Sequence, residues 1–483
     1  MSHGFLDQCE WERLHLSRHI QAFGGLLIWG ADGRLSHRSD NLGKWVDMST
    51  ENYRHGSVVP DWLQAAAHEL GTEVGNRRTQ FGVSVSHGGL VDLRLIRARS
   101  GQIICELWPS QGAFPFDWTG PGPSSDFNSP TARQALVDGV RQATSFQRVM
   151  YYQFHDDGHG EVVAESRNAD VLGSYLGLHF PASDIPKVAR ELYLQNPWRL
   201  IADARATAIS VLGETAEPPD LTWADLRSVS PVHCAYLQNM GVRSSLSFPV
   251  VIAGQLVAMI TAHHELPQVP ALSKLASVSE HVHDFALRLA TQQSQRRMRL
   301  LDGLGRRFEH IDSVVQRHGG LLPAWAEIGP WLMHEFAADG ATISVGDTAV
   351  STGLALEPAA RAALDRWLLD SPRELVMITD SLAKTVIDWP LSAVAGVLAL
   401  RVLQGESPGL RVYLTREEVL QHVTWGGNPD KPVESVHGAN GIAPRRSFEA
   451  WVETRLGRSL PWNNEAKLLG LRLRDLLKRQ LAD

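Results

Sequence analysis

Cysteine is scarce in this chain. Its 483 residues hold three, Cys9, Cys105 and Cys234, with no C-x-x-C pair among them. An odd count at such wide spacing excludes a disulfide framework and a cysteine-rich zinc site, and it fits a reducing compartment. Long apolar runs are missing as well: none approaches the roughly 18 residues a membrane-spanning helix needs. Met1 to Glu12 is polar and acidic, without the basic and apolar stretches of a secretory signal. A cytoplasmic location is the expectation, with no membrane partner. Positive charge is not in excess either. Forty-six Lys and Arg face 53 Asp and Glu, a formal charge of −7, which argues against nucleic acid held through its phosphates. Catalytic signatures are equally thin: there is no phosphate-binding G-x-x-x-x-G-K-[ST] loop, no H-E-x-x-H and no dinucleotide fingerprint. Gly405-Glu406-Ser407-Pro408-Gly409 matches G-x-S-x-G in letters. That elbow needs a helix after its serine, and here Leu410-Arg411-Val412-Tyr413-Leu414 reads as a strand, so a hairpin turn is expected. In Glu280-His281-Val282-His283-Asp284 the histidines stand two apart and would face different sides of a helix. Neither a catalytic residue nor a metal ligand is expected.

What is present suits several ordinary cores: 43% hydrophobic and 20% charged residues, at a length that suggests about three domains. Short strands begin at Leu26–Trp29, a helix follows near Asp61–Leu70, and Val91–Leu95 and Gln102–Leu107 form a hairpin about Ser100-Gly101. The Pro- and Ser-rich stretch Pro121–Pro130 reads as a linker. A helix at Thr131–Thr144 leads into strands Arg148–Phe154 and Gly160–Glu165, with late strands Ser244–Ile252 and Gln255–Ala262. Leu275, Val278, Val282, Phe285 and Leu289 are spaced as a helical seam, Thr291–Arg297 is polar all round, and the apolar pattern resumes through Met298, Leu301, Phe308 and Ile311. A helix of that kind bridges two domains, and its seam favours a parallel homodimer. The last third alternates strands (Val397–Val402, Leu410–Leu414) with helices and ends in the helical run Glu465–Leu481. The expected fold class is α+β in three domains, 1–120, 121–300 and 301–483, each an antiparallel sheet flanked by helices.

One stretch is dense in polar residues within an otherwise apolar domain. Phe180-Pro181-Ala182-Ser183-Asp184-Ile185-Pro186 is followed by Ala189-Arg190 and Leu192-Tyr193. Then come Leu226-Arg227-Ser228-Val229-Ser230-Pro231-Val232-His233, Tyr236-Leu237, Asn239-Met240-Gly241-Val242 and Ser245-Leu246-Ser247, and a last strand ends in His263-His264. Two prolines fix the backbone around Asp184. Carboxylate, histidine and arginine side chains are costly to bury unless they meet partners or a polar ligand; loops capped by their own side chains would also account for them one at a time.

Taken together these motifs resemble the bilin-binding GAF domain of bacterial phytochromes. Val149–Phe154 and Gly160–Glu165 match as well, and Cys9-Glu10-Trp11-Glu12-Arg13-Leu14-His15 with Ile20-Gln21 is similar to the segment that carries the family's attachment cysteine. Trp425-Gly426-Gly427 and Pro444-Arg445-Arg446-Ser447-Phe448 look like the tongue hairpin of a PHY domain, placed at about 420–460. The order is PAS, GAF, PHY, with the long helix joining the last two. The chain departs from the family at Ala22-Phe23, where Pro-His is usual.

The resemblance implies a red/far-red photoreceptor that carries biliverdin IXα, a linear tetrapyrrole, thioether-linked to Cys9. Light would isomerise its C15=C16 bond, and the switch would pass to an output histidine kinase and response regulator outside this chain. It implies that the Asp184 carbonyl and His233 meet the pyrrole nitrogens, beside Ile185. Arg199 and Arg227, with Ser245 and Ser247, would hold the propionates, and His263 the D-ring carbonyl. Tyr152, Phe180 and Tyr236 would wall the D ring. Arg445, flanked by Pro444 and Ser447, would pair with Asp184 in one light state. Cys105 and Cys234 are left as packing residues. The alternatives are a PAS/GAF sensor of another small ligand, which needs neither Cys9 nor the arginine pair, and a hydrolase using Ser407.

Overall fold

The structure is a computed structural model; it describes residues 13–49, 53–85, 89–112, 126–213, 217–370, 374–404, 407–427 and 450–480. Cys9, Pro444, Arg445 and Ser447 lie outside the described residues. By internal contacts the chain forms two compact units, residues 1–292 with 424–451, and residues 293–423 with 452–483.

The first unit opens with β1 (His19–Ile20), β2 (Gly25–Trp29), β3 (Leu35–Ser39), α1 (Asp61–His68), β4 (Arg77–Ser84), β5 (Leu90–Arg97) and β6 (Ile103–Pro109). Every residue of β2 is buried, because alternate side chains serve different cores. Leu27 and Trp29 pack with Leu63 and Ala66 of α1. Leu26 and Ile28 join Ile104 and Trp108 in the large core of the unit. The hairpin expected about Ser100-Gly101 forms, with Leu93 opposite Leu107 and Leu95 opposite Cys105.

Next come α2 (Pro130–Thr144), β7 (Arg148–Phe154), β8 (Gly160–Arg167), β9 (His179–Phe180), α3 (Lys187–Tyr193), β10 (Arg199–Ile201), β11 (Ile209–Gly213), α4 (Pro231–Asn239), β12 (Ser244–Ile252), β13 (Gln255–His264) and α5 (Leu272–His318). Ser129 caps α2 by accepting from the Ala132 amide, Pro130 fills its first turn, and Ser145 at φ 58° ends it. β12 and β13 join through Ala253 and Gly254, both at positive φ (49° and 76°), the signature of a type I′ turn.

The first sheet runs β1-β11-β3-β2-β6-β5-β4. β11, contributed from beyond residue 200, pairs with both β3 and β1. The segment before β2 is bound to the same region: Leu221 N donates to His15 O at 2.9 Å, Gln21 N to Leu226 O at 2.8 Å and Ser228 N to His19 O at 2.9 Å. The second sheet runs β10-β12-β13-β7-β8-β9 and continues into two strands from beyond residue 420. One face, with Leu246, Phe248, Ile260, Ala262, Val149 and Tyr151, packs on α2 and on Leu275, Val278, Val282, Phe285 and Leu289 of α5.

α5 continues without a break into the second unit. Its residues 293–299 are exposed, and Phe308, Ile311 and Val314 are buried again in the core of that unit. This is the bridging helix the patterning implied. The second unit holds α6 (Leu321–Phe336), β14 (Gly340–Val345), β15 (Thr348–Gly353), α7 (Pro358–Asp370), β16 (Val376–Thr379), α8 (Leu382–Thr385), β17 (Val394–Gln404), β18 (Ser407–Glu417) and α9 (Asn464–Gln480). Its sheet, β15-β14-β18-β17-β16, lies between α6 with α9 on one face and α7 on the other. β17 and β18 form an antiparallel hairpin with Gln404 opposite Ser407. A strand therefore follows Ser407, and the nucleophile-elbow geometry is not met. The remaining strands, β19 (Gln421–Gly426) and β20 (Ala450–Arg455), straddle the boundary between the two units. Among the described residues no helix is long and apolar enough to cross a membrane.

Candidate functional site

The site grows from the register of the second sheet. Ser247 lies opposite both Arg199 and Thr261, and Ser245 opposite Ile201 and His263. Thr261 lies opposite Met150, and Met259 opposite Tyr152. Since alternate residues share a face, Arg199, Ser245, Ser247, Met259, Thr261, His263, Met150 and Tyr152 all project away from the helix-covered core. The face has two ends. Met150, Tyr152 and Met259 form an apolar cluster with Val162, Leu178 and Phe180, on which Ile185, Tyr193 and Phe154 pack. The other end carries arginine, serine and histidine.

Phe180 ends β9, Pro181 leads into a short 3-10 turn at Ala182–Asp184, and α3 follows. The Tyr236 hydroxyl donates to Asp184 Oδ2 at 2.9 Å. Tyr236 also stacks on His233, with centroids 5.9 Å apart and planes 11° apart, because residues three apart on α4 share a side. The Tyr152 and Phe180 rings are 6.0 Å apart. The structure thus brings together Tyr152, Phe180 and Ile185 in one cluster, Asp184, His233 and Tyr236 in a second, and Arg199, Ser245, Ser247 and His263 along one strand register.

Burial governs the electrostatics. It pulls His233 down to about 4, with Arg199 adding to the effect, and His263 down to about 3, helped by Arg148 and His233. Both are neutral at pH 7. Arg227 is lowered to about 9 by burial and by Arg199, and remains a cation at neutral pH. Around them lie Arg94, whose Nε meets Asp225 Oδ2 at 3.2 Å, and Glu106, which burial pushes well above the usual carboxylate range. Arginine charge at this end exceeds its carboxylate charge.

The two arginines expected to act alike do not. Arg199 donates from Nη1 to Asp225 O at 3.1 Å, and from Nη2 to the carbonyls of Arg227 and Ser228 at 2.6 and 2.8 Å. Arg227 donates from Nη1 to Thr222 O at 2.9 Å and Leu221 O at 3.2 Å. Its Nε, like His263 Nδ1 and Thr261 Oγ1, is buried without a hydrogen-bond partner among the described residues. Buried polar atoms are ordinarily paired, and each of these three could meet a polar ligand.

Sequence reasoning passed over Thr261 and Tyr193. Thr261 stands two residues before His263, so strand alternation alone carried its signal. Tyr193, hydrogen-bonded to Ser247, stood in the Leu192-Tyr193 motif without a role assigned to it. Cys105 is fully buried and Cys234 partly so; burial raises the Cys105 thiol beyond its ordinary range. From β19, Trp425 pairs in parallel with His179 of β9. A Cβ on Gly426 would come within 2.6 Å of the Phe180 ring, so that close approach needs glycine.

Residues 130–294 match the family model of the GAF domain, and residues 313–482 that of the phytochrome region, PHY. The chain is 36% identical over 356 residues to a bacteriophytochrome of Pseudomonas aeruginosa, an alignment covering 71% of this chain and 47% of the relative. It is 35% identical over 484 residues to cyanobacterial phytochrome A of Nostoc sp., covering 93% of this chain and 61% of the relative. The chain therefore spans less than two thirds of the length of these relatives. A solved structure, the photosensory core module of the Stigmatella aurantiaca phytochrome, superimposes with a TM-score of 0.80 at 28% identity and 98% coverage of both chains. Sheets, helices, both matched regions and the long relatives agree, and this chain belongs to the phytochrome family, as a photosensory core of the bacteriophytochrome kind.

Proposed function

We propose that the chain is a red/far-red light receptor holding biliverdin, attached through a thioether at Cys9, in the face formed by β10, β12, β13 and β7. The observation that carries this reading is the pairing of an apolar end with a cationic end where Arg227 Nε, Thr261 Oγ1 and His263 Nδ1 are buried and unmatched among the described residues. A linear tetrapyrrole has that division: flat apolar rings, pyrrole N–H donors, lactam carbonyls and two propionates. Bound there, it supplies absorption of red light and isomerisation about its C15=C16 bond.

The chain's own residues take the remaining tasks. Arg227 gives its Nε to a propionate, with the Ser245 and Ser247 hydroxyls beside it. Arg199 adds positive charge while its donors hold the 225–228 main chain. Neutral His263 donates to the D-ring carbonyl. His233 and the Asp184 carbonyl, beside Ile185, meet the pyrrole nitrogens. Tyr152, Phe180 and Tyr236 form the wall near the ring that turns. Arg445, with Pro444 and Ser447 beside it, exchanges partners with Asp184 between light states and so biases the 420–460 hairpin. Domain limits at 120 and 300, a parallel homodimer, and a histidine kinase and response regulator as output complete the proposal.

Co-expression with a haem oxygenase tests it. The expected product is blue-green, fluoresces in a zinc-stained denaturing gel, and changes its spectrum under red light; Cys9→Ser keeps the colour and loses the gel fluorescence. A colourless product would point to another small ligand in this face, and persistent fluorescence would move the attachment to Cys234 or Cys105.

A further inference from the structure

Outside that face the structure assembles three imidazoles. His155 and His159 flank the tight turn between β7 and β8, where His155 N donates to His159 O at 2.9 Å. Their rings stack 4.3 Å apart with planes 4° apart. β9 passes alongside and adds His179, 5.2 Å from the His159 ring and 5.9 Å from that of His155. One ring nitrogen from each of the three lies within 4.8 Å of the other two. His155 and His159 stand in an H-x-x-x-H spacing, but His179 comes from a separate strand, so the third imidazole joins them only in the folded sheet.

Two carboxylates orient the cluster. Glu161 Oε2 is 3.1 Å from His155 Nε2, and Asp157 Oδ1 contacts His159 Nδ1. A carboxylate on one ring nitrogen fixes the tautomer and leaves the opposite nitrogen as the electron-pair donor, the arrangement found around histidine-ligated metals. The Trp425 ring lies 5.8 Å from His159 and 5.9 Å from His179, and all three histidines are half-buried.

We propose that His155, His159 and His179 form a binding site for a divalent transition-metal ion, with Zn²⁺ the ion that best suits three imidazoles. Zinc–nitrogen bonds of about 2.0–2.1 Å place tetrahedral ligand atoms roughly 3.4 Å apart, so closure from the present spacing needs side-chain rotation and no shift of the sheet. The fourth position falls to water, with Glu161 kept on His155. An ion there ties the β7–β8 turn to β9 immediately before Phe180. The site stands on these side chains and does not depend on the identity of any pigment.

Tag-free chain, prepared without pigment and stripped with chelator, is titrated with Zn²⁺ by calorimetry and with Co²⁺ by visible absorption. One ion per chain is expected, at a micromolar or tighter Kd, with the visible bands of a nitrogen-ligated Co²⁺ site. His159→Gln and His179→Ala should each weaken binding at least about tenfold, and Glu161→Gln by about 10–100-fold. His334→Ala, at a side chain 88% exposed in the second unit, should change nothing. Zn²⁺ should also raise the melting temperature of the wild type by several degrees and leave that of His159→Gln unmoved. Should His179→Ala fail to fold, His159→Gln, beside the β7–β8 turn, decides. No binding by the wild type, or equal binding by His159→Gln, overturns the site.

Discussion

The Tyr236 hydroxyl donates to the Asp184 carboxylate at 2.9 Å, joining α4 to the turn that follows Phe180. This contact is made by the protein alone, so Asp184 is held before any ligand is considered. Tyr236→Phe keeps the ring that stacks on His233 and removes the donor. A hydrogen bond to a charged group contributes about 1.5–3 kcal/mol, less where solvent reaches it, and Asp184 is half-buried. A loss of about 1 kcal/mol in urea denaturation of the pigment-free chain is expected, with Asp184→Asn intermediate. An unchanged midpoint would mean the contact does not hold the turn.

Two glycines set how closely rings approach. A Cβ on Gly160 would fall 2.0 Å from the Tyr152 ring, and one on Gly426 2.6 Å from the Phe180 ring. Tyr152 and Phe180 are both buried, so neither ring can swing into solvent without uncovering the apolar cluster. Overpacking of this kind typically costs about 1–3 kcal/mol. Gly160→Ala should therefore destabilise the pigment-free chain by that order and alter the visible spectrum of the loaded chain, because Tyr152 must turn. Gly426→Ala should do the second with less of the first, since β19 meets β9 at one pair of residues, Trp425 and His179. A normal spectrum in both variants would remove Tyr152 and Phe180 from the pigment's surroundings.

Much of the face was legible because β-strands alternate. The Ser-x-Ser of β12 and His263 of β13 fall on one side at any register that buries Leu246 and Phe248 with Ile260 and Ala262, and Phe180 and Asp184 are fixed by the prolines around them. Pairings distant in sequence were not legible. Nothing local in Ile209–Gly213 says that it joins a sheet begun before residue 40, nor that Gln21 will bind the backbone of Leu200 and Ala202. The commitment of Arg199 to main-chain carbonyls was hidden for the same reason: a guanidinium reads alike in sequence whether it meets a ligand or the loop beside it. The three-histidine cluster depends on where β9 lies, which only the folded sheet determines.

The neutral histidines make stability depend on pH with a definite sign. His233 and His263 fall to about 4 and 3 in the folded chain, mainly through burial, whereas an unfolded histidine titrates near 6.5. Between these values the unfolded chain binds more protons, so stability rises with pH up to about 6.5 and is lost as pH falls toward the folded values. Glu106, raised by burial, acts in the opposite direction over part of the same range, but it is common to the proteins compared. Thermal melts of pigment-free chain between pH 5 and pH 7 should fall more steeply for the wild type than for the His233→Gln, His263→Gln double variant. Parallel slopes would show that the two imidazoles are not enclosed as the geometry has them.

Arg199 and Arg227 should separate structure from binding. Arg199 spreads its two Nη atoms over the carbonyls of Asp225, Arg227 and Ser228, three acceptors from one short loop. A lysine ammonium is a single point charge and cannot span them in the same plane. Arg227 holds two carbonyls through Nη1 alone and leaves Nε buried and unmatched. Arg199→Lys should therefore cost the pigment-free chain more, about 1.5–3 kcal/mol as two or more charge-assisted bonds are lost, than Arg227→Lys does. The order should reverse for pigment. Arg227→Lys removes the planar donor offered to a carboxylate and should weaken biliverdin uptake several-fold, whereas Arg199→Lys, once folded, keeps most of its positive charge in place. Urea midpoints of the pigment-free variants and biliverdin titrations followed by absorbance supply the two orders. If Arg227→Lys is the more destabilising variant and takes up pigment normally, Arg227 is the clamp, and the anion-binding end of the face must be sought at another residue.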